Sequence, residues 1–251
     1  MQTLCLLLTS ARCICSEKQS KIYVVFPETA ADSNKSGRVL CDLDAKKREH
    51  DFFEHPETDV VAVRFSIPAE VKYELIPFEL LATPEIFSSV QIHPTDHVVY
   101  PSLLANVADS NFSVVRTGSI ARTPNQQKIE LNLGDRDHPI ISKQEIFLID
   151  TMAIPGASGS PLFLSPEPRQ TGAAVTAFLL GIIQAHANSP EIIHPVQPAG
   201  PDSSPPPDPA KQYWFGANAG IAVVIPAWHI REIMETADFK NRISELIKED
   251  D

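Results

Sequence analysis

The sequence predicts an all-β fold, and three observations carry that expectation. Apolar runs of four to eight residues recur at 21–26, 60–67, 97–100, 112–115, 128–133, 144–149 and 178–184, the length and spacing of strands rather than helices. These runs are rich in β-branched and aromatic residues, and Pro, Asn, Asp and Gly punctuate them, as an antiparallel barrel with many turns requires. Helical periodicity is confined to the C-terminus, where Ile230, Ile233, Met234, Phe239, Ile243 and Ile247 recur mostly three or four residues apart with charges between them. That pattern predicts an amphipathic helix, or a broken pair, between 226 and 247, packing by its apolar face.

Taken in order, Lys21-Ile22-Tyr23-Val24-Val25-Phe26 is the first such run, and the strand expected at 60–67 is apolar almost throughout. Gly156-Ala157-Ser158-Gly159-Ser160-Pro161 reads as a tight turn, with Leu162-Phe163 opening the strand behind it. Gly156 and Gly159 reach backbone angles closed to other residues, and Pro161 fixes the exit. The segment 188–211 holds eight prolines and few apolar side chains, which predicts a loop joining the last two strands. The final strand is expected in Ala219-Gly220-Ile221-Ala222-Val223-Val224-Ile225-Pro226.

Composition narrows the function classes. With 251 residues, 43% of them hydrophobic, the chain can bury a substantial core and suits one two-lobed domain or two small ones. A formal charge of −11 without a basic run argues against a nucleic-acid or anionic-membrane partner. All four cysteines, Cys5, Cys13, Cys15 and Cys41, lie in the first 41 residues, which argues against a disulfide-stapled secreted protein. The apolar opening Met1–Leu8 lacks a basic flank, so a cytoplasmic location is favoured over a secreted one. No run reaches the roughly 18 apolar residues that a membrane span needs.

The turn around Ser158 is the feature that points to chemistry. A nucleophilic serine needs its hydroxyl held proud of the surface beside unpaired backbone N–H groups, and flanking glycines permit that. Upstream, Asp59 is followed at once by Val60-Val61-Ala62-Val63-Arg64-Phe65, a carboxylate leading into an apolar strand.

Together these motifs resemble the chymotrypsin/trypsin-like serine proteases of the bacterial type, whose Gly-x-Ser-Gly-Gly/Ser-Pro run supplies the nucleophile and the oxyanion hole. Asp59 precedes Ser158 by 99 positions, against roughly 93 in the family. Asp96-His97-Val98-Val99-Tyr100 with 114–121, and 219–226 followed by Ala227-Trp228-His229-Ile230-Arg231-Glu232, are similar to the family's crossing between barrels and its last strand and closing helix. The resemblance runs from about Asp59 to about Glu235. It implies two six-stranded antiparallel barrels with a C-terminal helix: an N-terminal lobe over 1–110, incomplete at its leading edge, and a C-terminal lobe over 111–251 carrying the loop 188–211. It also implies Ser158 as nucleophile, Asp59 as the orienting carboxylate, and the N–H groups of Gly156 and Ser158 as oxyanion hole. Met152 would be an apolar specificity-pocket floor and Ile183-Gln184-Ala185-His186 the wall strand, pairing with extended polypeptide.

The sequence departs from the family at the general base. A histidine is expected roughly 45 residues before the aspartate, near residue 14, yet no histidine precedes His50. Alignment places Cys13 or Arg12 there. A thiol is a weak acceptor and a guanidinium has no lone pair to offer, so neither replaces imidazole. His50 and His55 are the nearest substitutes. Three explanations stand beside one another: a truncated or frame-altered reading of a peptidase, a homologue that lost its base and binds ligands, or an enzyme with an unusual base. The expectation is little or no peptidase turnover and no cofactor, with a non-catalytic peptide-binding module as the alternative. The run 203–207, Ser-Ser-Pro-Pro-Pro, is a further candidate ligand for a proline-recognising domain. His93, Asp96 and His97, and the group His50, Asp51, Glu54 and His55, hold metal-ligating types without an identifiable ligand set.

Overall fold

The computed structural model describes residues 6–10, 21–27, 36–67, 75–103, 113–124, 127–132, 141–152, 157–166, 176–193 and 213–249. The strands are β1 (Leu6–Ser10), β2 (Lys21–Pro27), β3 (Ser36–Asp42), β4 (Phe52–Glu54), β5 (Val60–Arg64), β6 (His97–Leu103), β7 (Ser113–Arg122), β8 (Ile129–Asn132), β9 (Ile141–Gln144), β10 (Phe147–Asp150), β11 (Pro161–Leu164), β12 (Leu179–Ile193) and β13 (Tyr213–Pro226). The helices are α1 (Leu43–Arg48), α2 (Pro84–Val90), α3 (Trp228–Glu235) and α4 (Ala237–Glu249), with a single 3-10 turn at Phe78–Leu80. The chain is mostly β, as its sequence predicts.

Six strands close an antiparallel barrel in the order β10-β13-β12-β11-β6-β7. Strand β6 pairs with β7 on one edge and β11 on the other, so this barrel begins at His97, inside the lobe expected over 1–110. A second closed barrel is not present among the described residues. The N-terminal half instead forms a three-stranded sheet β1-β5-β4 and a β2-β3 ladder.

Alternating side chains fill the barrel. Val98, Tyr100, Ile120, Phe147, Ile149, Leu162, Leu164, Leu180, Ala222 and Val224 form its interior with Trp228, a period-two inward face. Residues on the opposite face, Leu179, Ile182 and Ile225, pack with Phe53, Val60 and Ala62 from the N-terminal sheet and Ile230, Ile233 and Phe239 from α3 and α4. The helix pair therefore rests on both sheets. Its break lies at Thr236, which stays extended at φ −60°, ψ 150° while its hydroxyl accepts from Phe239 N–H at 3.3 Å. That is the capping geometry that starts a new helix, so the broken pair is the outcome.

Residues 188–193, expected in the proline-rich loop, continue β12 and pair with β13 from Asn188↔Asn218 to Ile193↔Tyr213. The rest of that loop, and the run 203–207, lie outside the described residues. Beyond Ile182 no described strand pairs with the second edge of β12. Pro190 is compatible with this, since a strand proline needs an edge where its missing N–H forfeits no ladder bond.

Candidate functional site

Ser158 occupies a turn between β10 and β11 whose geometry follows from its glycine. Ser160 N–H donates to Ala157 C=O at 3.0 Å, which makes Ser158 and Gly159 the two central residues of a β-turn. Gly159 has φ 85°, as the third residue of a type II turn demands, and a side chain there would be strained. Ala157 and Ser160 are buried whereas Ser158 is exposed. The turn is pinned to β12 by Gly159 N–H to Ile183 C=O at 2.7 Å and Ile183 N–H to Ser160 C=O at 2.9 Å. The Ser158 hydroxyl follows the same route, donating to Gln184 C=O at 3.2 Å.

Gln184 is the residue that sequence reasoning undervalued. The register of β12 on β13 steps from Ile183↔Val224 to Ala185↔Val223, which leaves Gln184 as the extra residue of a bulge. Bulges re-aim side chains. Here the amide Nε2 donates to Asp59 Oδ2 at 2.9 Å, while Oε1 is buried without a partner among the described residues. One residue thus joins both predicted site groups: its carbonyl holds the serine and its side chain holds the aspartate. Ala185 and His186 follow on the same strand, half-buried.

The remaining expected positions fare differently. Gly156 lies outside the described residues, so half of the expected oxyanion hole does too. Met152 is 58% exposed, and its carbonyl accepts from Arg116 Nη1 at 3.3 Å. Residues 153–156, which follow Met152 toward the serine turn, lie outside the described residues. Cys13 and Arg12 are outside the described residues. His50 is exposed at the end of α1, with φ 57°. His93 takes the Asp96 carboxylate on its own backbone N–H at 2.9 Å, a local turn.

His55, four residues before Asp59, bonds within its own turn and to α3. Its Nδ1 accepts from the N–H groups of Glu57 and Thr58, both at 3.1 Å, and its Nε2 lies 2.8 Å from Glu232 Oε2. The same carboxylate oxygen lies 2.8 Å from His229 Nδ1, and the two rings stand edge to face at 4.9 Å. Burial is the main influence lowering the His55 pKa below its ordinary 6.5, with His229 adding to it and Glu232 opposing. Burial works against charge on Glu232, but hydrogen bonds from His229 and His55 outweigh it and hold the carboxyl below its usual range. His229 and Glu232 were not singled out from the sequence. Their three-residue spacing on a helix, which places both on one face, was the available signal.

No protein-family model matches the chain, and a search of curated proteins finds no match.

Proposed function

We propose that this chain is a trypsin-like serine endopeptidase homologue with little or no turnover. The observation that carries the reading is the line Ser158–Gln184–Asp59: an exposed serine in a glycine-dependent turn and a carboxylate from a distant sheet meet on one bulged residue. In the double-barrel frame that the resemblance implies, that is where nucleophile and orienting carboxylate belong. The same line supports the low turnover proposed. Acyl transfer begins when a base within hydrogen-bond reach takes the serine proton, and a backbone carbonyl accepts a hydrogen bond without taking a proton. The Asp59 oxygen that would orient an imidazole meets the Gln184 amide instead.

A second reading, a peptide-binding module that uses the protease cleft, is favoured by the edge of β12. Past Ile183 and Gln184, whose main-chain groups the serine turn holds, β13 covers one side of that strand and no described strand covers the other. An extended polypeptide adds to such an edge by main-chain hydrogen bonds. The wall residues Gln184, Ala185 and His186 lie directly beyond the serine turn.

The deciding experiment titrates the protein with a pool of extended peptides while following amide protection at Ala185 and His186 and the masses of the peptides. Protection gained with peptides recovered whole supports the binding reading of this homologue. Cleavage that Ser158→Ala abolishes overturns the low-turnover assignment, and no change at either amide with any peptide removes the binding module.

A further inference from the structure

The His55–Glu232–His229 cluster has a defined proton inventory. Two backbone N–H groups already point at His55 Nδ1, so that nitrogen carries the lone pair and the ring proton sits on Nε2, donated to Glu232. Neutral imidazole has one donor and one acceptor nitrogen. Glu232 Oε2 accepts from His229 Nδ1 as well, which leaves the His229 lone pair on Nε2, buried and without a partner among the described residues.

This inventory decides between two uses of the cluster. The three donors lie within 4.8 Å of one another, the types that bind zinc. A cation on His55 Nε2, however, would force the ring proton onto Nδ1, directly against two N–H groups. A cation on His229 Nδ1 would force a proton onto a buried Nε2 with no acceptor among the described residues. The donor set is arranged to hold protons rather than a metal.

His55 also fixes the position of Asp59. The turn it organises runs to Val60, whose carbonyl accepts from His55 N–H at 3.0 Å and whose own N–H donates to Thr58 C=O at 2.9 Å. Asp59 lies inside this loop. We propose that His55 is a proton-operated pin: proton uptake at Nδ1 expels the Glu57 and Thr58 amides and releases the turn that holds Asp59 against Gln184. The ionisable groups around the ring are consistent with a pin that stays neutral until the turn opens. Glu232 and His229 face it from α3. Glu57, on its own turn, is bound by Lys128 at 2.6 Å from the segment before β8, and Asp59 is directed to Gln184. Arg231 of α3 lies over the Phe78 ring, 4.3 Å from its centroid, instead.

Amide exchange of the full chain, corrected for intrinsic rates, tests the pin. Protection of Glu57 and Thr58 is expected to fall by up to about tenfold per pH unit as pH drops below the ordinary 6.5 toward the lowered His55 pKa, as one linked proton requires. His55→Asn, whose side-chain oxygen accepts the same two N–H groups without titrating, should hold protection constant. Protection that stays level in the native chain, or falls equally in H55N, overturns the proposal. Should H55N fail to fold, the ring nitrogen shifts of native His55 decide. An Nε2–H tautomer titrating below 6.5 supports the pin; an Nδ1–H tautomer, or titration at or above that value, refutes it. Added zinc should leave both rings unmoved, and one equivalent shifting His55 and His229 together would contradict the inventory.

Discussion

Asp51 shows how a single buried residue ties the sheets and helices together. Its side chain is fully buried yet meets Lys46 Nζ at 3.2 Å, Arg64 Nη1 at 3.0 Å and Arg242 Nε at 2.9 Å, which joins α1, β5 and α4. Burial opposes its ionisation, but hydrogen bonds from Arg242, Arg64 and Lys46 outweigh that and hold its pKa below the ordinary 3.8. A depressed carboxylate pKa contributes stability above its unfolded value and loses it as pH falls through the folded one. Asp51→Asn should therefore cost about 3 kcal/mol in urea unfolding at neutral pH, and its deficit should shrink in acid below 3.8. Ser158→Ala removes one hydrogen bond at an exposed turn and should cost about 1 kcal/mol or less. Gly159→Ala should cost about 1–2 kcal/mol more than that, because it forces a side chain into the left-handed region. Ser158 and Asp59 were legible as residues because glycine spacing and an acidic strand entry leave a local mark. Gln184 was legible only as part of a wall strand, since a bulge depends on what the partner strand does.

At the scale of elements, the crossing of β12 and β13 depends on Gly181. A side-chain carbon there would lie 2.0 Å from Ile225 O and 2.8 Å from Val224 Cγ1, and a strand backbone held on both edges cannot yield. Gly181→Ala is expected to lose about 3 kcal/mol, the upper part of the range for overpacking, read as a lower urea midpoint with an unchanged slope. The helix pair makes a second test. Phe239 of α4 meets Phe53 edge to face at 4.9 Å in a shared core, so Phe239→Ala should cost about 3–5 kcal/mol. The helices were legible because a period of three to four survives over twenty residues. α1 and α2 were missed because six and seven residues give less than two turns of pattern. Residues 188–193 were misread because proline content, which excludes an interior strand, does not exclude one edge of a two-stranded ribbon.

At the scale of the molecule, a closed barrel with one helix pair clamps an N-terminal sheet, and the candidate site lies where the two meet. No helix among the described residues is long and apolar enough to cross a membrane. The strand-rich character was readable from short apolar runs, whereas closure of the barrel was not, because it is set by pairings between segments distant in sequence. The double-barrel frame belongs to the proposed function, and the observation that supports it is the Ser158–Gln184–Asp59 line. The serine hydroxyl is held by the Gln184 carbonyl, and the proposed function holds that no base activates it. The most direct measurement is intact-mass analysis after incubation with an excess of a fluorophosphonate, comparing the native chain with Ser158→Ala. Slow, sub-stoichiometric labelling at most is the predicted result. Rapid stoichiometric modification of Ser158, absent from the S158A variant, would show an activated nucleophile and contradict the account.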